Sequence, residues 1–194
     1  IEFIGSKSEI EKIYINNDID LGGQNGMIWP SVYTSSGEIY IEGNGHTIYN
    51  LNSNVNGLFS TMNAKTTIEN LNMKSVKVIG KSNSDKVSPI GRPMSSGYRF
   101  ENIHIDGGFI QSKGSDTCGF ISRPGSVNTF VKDCSTSNMY IYGAGQHTSG
   151  FIGCVSGAQN SFSGGYGVRY DVEYPSQPEA LFGNSSTTLN TTDS

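Results

Sequence analysis

Gly119-Phe120-Ile121 and Gly150-Phe151-Ile152 are one apolar string written twice. Gly57-Leu58-Phe59 and Pro89-Ile90-Gly91 precede the pair and Ala180-Leu181-Phe182 follows it, so successive strings begin about 30–32 residues apart. A period of this size marks one supersecondary unit stacked on copies of itself, none of which can bury its apolar face alone.

A second string lies inside the repeat. TIYNLN at Thr47 to Asn52 returns about 20 residues later as TIENLN at Thr67 to Asn72, and then, a full period further on, as RFENIHI at Arg99 to Ile105. FVKDCS at Phe130 to Ser135 is a degenerate copy with Asp133 in the Asn place. Strict alternation would put Ile68 and Leu71 on opposite faces of a strand. Turning the chain at the intervening Asn brings both inward, and Asn readily takes a left-handed backbone or bonds neighbouring backbone groups. Stacked coils would then align Asn50, Asn70, Asn102 and Asp133 at about the 4.8 Å strand spacing. Such an amide ladder would contribute a net ~1 kcal/mol per bond. The expected fold is all-β: a parallel β-helix, or solenoid, of irregular 20–32-residue coils, with 47–52, 67–73, 99–105 and 130–134 stacked in parallel register.

Composition agrees with one elongated domain. The chain has 194 residues with 25 Gly and only 15% charged side chains, and the one helical period is SKSEIEKIY at Ser6 to Tyr14. A net charge of −4 leaves no basic surface for a phosphate backbone, so no nucleic-acid partner is expected. No apolar run is long enough for membrane insertion. The absence of an initial Met suggests a fragment or a processed product. Cys118, Cys134 and Cys154 cannot all pair within one chain and match no zinc spacing, so small buried core fillers are expected, with their disulfide status open.

Three regions separate. Residues 1–55 read as an N-terminal capping segment with the first coil, and residues 56–160 as the β-helix coils. Residues 161–194 read as a Tyr-rich strand, a last coil fragment and a polar tail. In the strand, Tyr166, Val168, Tyr170, Val172 and Tyr174 alternate with Gly167, Arg169, Asp171 and Glu173. Its apolar face is expected to cover the last coil or to meet a neighbouring subunit.

DIDLGG at Asp18 to Gly23, Trp29, GEIYIEGNGHTIYNL at Gly37 to Leu51, then GLF, TIENLNM and VKVIG together resemble the GLUG-motif repeats of bacterial surface and secreted proteins. The match is best over Ile41 to Ile48; it covers roughly residues 14–155 and again 180–183. The resemblance implies a right-handed parallel β-helix that serves as a stalk or adhesive surface, and it places Asp18 and Asp20 as caps and His46 at a structural position.

Glycan-cleaving β-helices need two or three carboxylates, often with Arg or Ca²⁺, on an exposed sheet. The candidates are Asp18 with Asp20, Asp106, Asp116, Asp133, Asp171 and Glu173, with Arg92 and Arg123. None is expected to be catalytic, and no carboxylate pair within about 5–10 Å across a shared groove is expected. His46, His104 and His147 fall in different parts of the repeat, which argues against a Ser/His/Asp triad or a metal site. No cofactor is expected. The candidate binding residues are Tyr166, Tyr170, Tyr174 and Arg169, since Tyr offers apolar area with a polar tip. The expected function is a non-enzymatic structural or adhesive module, extracellular or at the cell surface or else on a virion. It would bind a glycan, a protein or its own copies. The alternative is a glycan-cleaving β-helix of tail-spike type with active residues between protomers.

Overall fold

The computed structural model describes residues 3–4, 10–34, 37–83, 85–94, 97–114, 116–122, 129–144, 148–153, 161–163, 168–173 and 190–192. For 3–4, 10–11 and everything beyond 153 the description is of the backbone alone. The chain winds as a parallel β-solenoid. The first coil holds β1 (Phe3–Ile4), β2 (Ile10–Tyr14), β3 (Ile19–Asp20) and a 3₁₀ turn at Gly23–Asn25. The next holds β4 (Tyr33–Thr34), β5 (Glu38–Glu42), β6 (Thr47–Tyr49) and β7 (Asn52–Ser53). Then come β8 (Phe59–Met62), β9 (Lys65–Ile79) and β10 (Lys86–Val87), followed by β11 (Gly91–Pro93), β12 (Tyr98–Ser112) and β13 (Asp116–Cys118). β14 (Thr129–Lys132), β15 (Ser135–Gly143) and β16 (Thr148–Ser149) form a further coil; β17 (Ser161–Ser163), β18 (Val168–Glu173) and β19 (Asn190–Thr192) complete the series. No helix among the described residues is long and apolar enough to cross a membrane.

Register gives the period. Ile68 pairs with Phe100 and Phe100 with Val131, while on another face Lys86 pairs with Asp116 and Thr117 with Thr148. One turn is therefore about 31 residues, the separation that also brings Cys118 onto Val87 and Ser135 onto His104. Parallel strands one turn apart stack every residue on its counterpart in the next coil.

Each long strand bends twice, and left-handed residues make both bends. β9 turns at Asn70 (φ 54°) and Ser75 (φ 58°), and β12 at Asn102 (φ 53°) and Gly107 (φ 77°). The β14–β15 coil turns at Asp133 (φ 52°) and Asn138 (φ 53°). At the first bend Ile68 and Leu71 are both buried around Glu69 and Asn70; Phe100 and Ile103, and Val131 and Cys134, repeat the arrangement. Asn70, Asn102 and Asp133 therefore occupy one column of corners.

Asn50 does not belong to that column. Thr47 pairs with Asn72 rather than Thr67, and Thr67 pairs with Tyr40. Gly43-Asn44-Gly45 takes the first corner of its coil: the Gly43 N–H bonds Glu69 O at 2.8 Å and the Gly45 N–H bonds Asn70 O at 2.7 Å. Only Gly fits at 43, where a Cβ would lie 2.3 Å from that Asn70 oxygen. TIYNLN thus starts at the second segment of the sheet, and Asn50 (φ 58°) stands in the second corner column with Ser75, Gly107 and Asn138. The short spacing between the two strings is no coil, since the residue that stacks on Ile68 is Ile41.

One further reading is corrected. Ile10–Tyr14 is strand β2, paired along its length with β5, so tertiary pairing overrides its helical period. Within the polar tail, β19 pairs in parallel with β17.

The four punctuating strings from Gly57 to Ile152 sit where backbones of successive coils meet, and Ala180-Leu181-Phe182 lies outside the described residues. Gly91, Ile121 and Ile152 bridge in turn, and Phe59 pairs with Gly91. A Cβ on Gly57 would lie 1.7 Å from Pro89 O, and one on Gly119 2.1 Å from Gly150 O. Just before each string a buried polar side chain ties the corner. Ser88 Oγ donates to Gly91 O (2.9 Å), Cys118 Sγ to Ile121 O (3.0 Å) and Ser149 Oγ to Ile152 O (2.6 Å). In the preceding coil the buried Asn56 amide bonds Ser60 O. Cys118 therefore fills a hydroxyl's place as well as space. Cys134 is buried in the core, which pushes its thiol up to about 12. Cys154 lies outside the described residues. Phe120 stacks on Phe151 at 4.8 Å and meets Phe100 edge-on at 5.9 Å, so the interior is a continuous apolar column.

Candidate functional site

Outward side chains form columns by the same stacking. Tyr40, Thr67, Arg99 and Phe130 make one, and Glu42, Glu69, Glu101 and Lys132 the next. Three carboxylates one strand apart would repel, and the neighbouring column offsets this. The Tyr40 hydroxyl lies 3.0 Å from Glu42 Oε2 and 3.1 Å from Glu69 Oε2 and shares its one proton between them. Arg99 Nε reaches Glu69 Oε1 at 3.2 Å while its Nη2 bonds Glu101, and Lys132 Nζ lies 2.7 Å from Glu101 Oε1. The Arg99 guanidinium stands 4.3 Å over the Phe130 ring.

These contacts fix charge. Partial burial pushes the Glu42 carboxyl up, but the Asn44 N–H, the Asn70 amide and the Tyr40 hydroxyl outweigh it and hold it below the ordinary value. The Lys132 ammonium, with Arg99, holds Glu101 low. Burial, then the two carboxylates, pushes the Tyr40 phenol up, so it remains the donor.

Two acceptors within hydrogen-bond reach of one hydroxyl oxygen can stand no further apart than about 6 Å, so the Glu42 and Glu69 carboxylates that share Tyr40 are close neighbours. Two carboxylates thus stand close together on this sheet face, both of them Glu that were not among the sequence candidates. The signal was available: Glu69 and Glu101 stand one coil apart, in register.

The residues that were candidates lie elsewhere. Asp18 accepts from the Thr47 N–H (2.9 Å) and His46 Nδ1 (3.2 Å); Asp20 accepts from the Gly22 N–H (2.8 Å) and the Asn50 amide (2.9 Å). Each ties the first coil to the second at its own corner. Asp106 bonds Ser137 (2.8 Å) and Asn138 (2.7 Å). Asp116 is fully buried against Lys86 at 2.7 Å, and Asp133 lies 3.7 Å from Lys132. Arg92 Nε is buried without a hydrogen-bond partner among the described residues. Arg123, His147, Tyr166 and Tyr174 lie outside the described residues. Arg169, Tyr170, Asp171 and Glu173 are on β18, whose backbone pairs Tyr170 with Met139 and Arg169 with Ser137. β18 thus adds to the sheet as its next strand.

One hydrogen-bonded row crosses the coils at the first corner. Asn70 Nδ2 reaches both oxygens of Glu42 (3.0 and 3.2 Å), and Asn102 Nδ2 reaches Asn70 Oδ1 (2.8 Å). His104 Nε2 lies 3.0 Å from Asn102 Oδ1, and its Nδ1 2.8 Å from Ser135 Oγ. The three histidines do fall in different parts of the repeat, and His104 finds its partners on its own coil and the next. Ser135 follows His104 by one full turn, so the repeat itself brings them together.

No family model, no curated protein and no solved structure matches the chain.

Proposed function

We propose that the chain is a non-enzymatic structural or adhesive module of GLUG-repeat type, wound right-handed and displayed outside the cell, at the bacterial surface or on a virion spike. The observation that carries this reading is the open sheet face whose outward side chains are fixed to one another from coil to coil. The row Tyr40, Glu42, Glu69, Arg99, Glu101 and Lys132 offers donors and acceptors already held in place, which lowers the ordering cost of binding a glycan or a protein. Glycoside cleavage by the two-carboxyl route needs one carboxyl with a raised pKa as general acid. The shifted carboxyls Asp18, Asp20, Glu42, Glu101 and Asp106 all move the other way.

Assembly with its own copies finds support at the first coil. β2 ends the order of its sheet, Tyr14, Ile19, Met27 and Ile28 are exposed there, and an apolar cavity of about 540 Å³ opens between Ile13, Trp29, Val32 and Phe59. The glycan-cleaving alternative would use Glu42 and Glu69. The deciding experiment presents the purified chain to immobilised polysaccharides and proteins and measures retention and reducing-end release. Retention that weakens in Arg99→Ala, without sugar release, is expected. Release that disappears in Glu69→Gln would overturn the reading.

A further inference from the structure

Glu42 begins a chain of forced choices. An ionised carboxylate only accepts, so Asn70 must turn its NH₂ toward Glu42, where both oxygens lie within 3.2 Å, and its Oδ1 toward Asn102. Asn102 must then offer its own NH₂ to Asn70 and its Oδ1 to His104. An acceptor at 3.0 Å places the imidazole proton on Nε2 and leaves Nδ1 bare, 2.8 Å from Ser135 Oγ. The serine hydroxyl donates to it. Every link points its donor end toward Glu42, so the row holds the imidazole in one tautomer and one orientation. Nucleophile, base and orienting group within hydrogen-bond reach is the arrangement that activates a hydroxyl. His104 is exposed and Ser135 half-buried, so a reagent in solvent reaches both.

We propose that Ser135 is an activated nucleophile, with His104 as its base, that takes an acyl group from activated esters. Ser135 Oγ attacks the carbonyl carbon as its proton passes to His104 Nδ1. The carbon–oxygen bond to the leaving group then breaks, and the leaving phenolate takes that proton. The products are an acyl ester on Ser135 and one phenol, with no oxidant or metal consumed. Asn102, Asn70 and Glu42 are positioning residues. The inference goes beyond the adhesive reading and does not rest on it, since it needs neither a glycan nor a partner protein.

The test treats the full chain with p-nitrophenyl acetate, follows p-nitrophenolate release against pH, and maps the acetyl group by peptide mass spectrometry. Acetylation at Ser135 is expected to exceed that of any other serine by on the order of a hundredfold, the low end of what a positioned base contributes. Ser135→Ala and His104→Gln should each remove that excess while keeping the wild-type circular dichroism spectrum at the assay temperature. Glu42→Gln should lower Ser135 acetylation and Glu42→Asp should restore part of it, because an amide at 42 can donate as well as accept and no longer fixes which way Asn70 and Asn102 turn. Acetyl groups spread over lysines and serines without preference, a label on His104 alone, or Ser135 labelling undiminished in His104→Gln would each overturn the proposal.

Discussion

Replacing Asn102 separates the two tasks of a corner residue. Its backbone sits at φ 53°, and its amide donates to Asn70 at 2.8 Å. Asn102→Ala forces a Cβ residue without a local side-chain bond into the left-handed region, which costs about 1–2 kcal/mol. It also loses two side-chain hydrogen bonds, the one to Asn70 and the one from His104, with a net value of about 1 kcal/mol each. The expected destabilisation is about 3–4 kcal/mol. Asn102→Gly loses the same two bonds but takes the backbone freely, and its cost beyond those bonds is unfolded-state entropy of about 0.4–1 kcal/mol. Asn72→Ala is the control: Asn72 Nδ2 bonds Gly45 O at 2.8 Å, but its backbone is not left-handed, so its loss stays near about 1 kcal/mol. Urea unfolding followed by circular dichroism, compared by midpoint at constant slope, gives all three values. The reasoning fails if Asn102→Ala is no worse than Asn72→Ala, or if Gly at 102 is worse than Ala.

Acid should unfold the chain through its held carboxylates. Asp18, Asp20, Glu42, Glu101 and Asp106 have folded pKa values below their ordinary 3.8 or 4.5, so their contribution is complete above those values and is lost as pH falls through the folded ones. The melting temperature should therefore be flat with respect to these groups above about pH 5 and fall steeply below about pH 4. Lys86→Met removes the ammonium that faces the fully buried Asp116 carboxylate and should cost about 3–5 kcal/mol by chemical unfolding, with most of the loss recovered in Lys86→Met/Asp116→Leu. Cys118→Ser should change stability by less than about 1 kcal/mol in the same assay, since Ser88 and Ser149 make the same bond in neighbouring coils.

The architecture was legible because its cause is periodic. Gly119 and Gly150 recur because a Cβ at 119 would meet the Gly150 carbonyl, and Ile68 and Leu71 straddle an Asn because a left-handed corner turns both inward. The second corner column was not legible, because Ser75 and Gly107 stand between Asn50 and Asn138 and share with them a conformation rather than a side chain. That heterogeneity also misplaced Asn50, whose TIYNLN matches TIENLN in letters while pairing one segment later. At the surface, the sequence candidates Asp18, Asp20, Asp106, Asp116, Asp133, Asp171, Glu173, Arg92 and Arg123 include no member of the charged column. The Glu42–Glu69–Glu101 column and the Asn102–His104–Ser135 row appear only when the coil spacing is applied to every polar residue.

Stacking one coil on the next also sets how the molecule would respond to being pulled. The bonds between coils run along the axis, and each coil touches only its neighbours. A chain stretched by its two ends would shed turns one after another rather than fail at once. The turn from Phe100 to Val131 is one such unit. At about 3.3–3.6 Å per extended residue, each turn released lengthens the chain by roughly 100 Å. Under load the fold is therefore a reel that lets out line in equal steps.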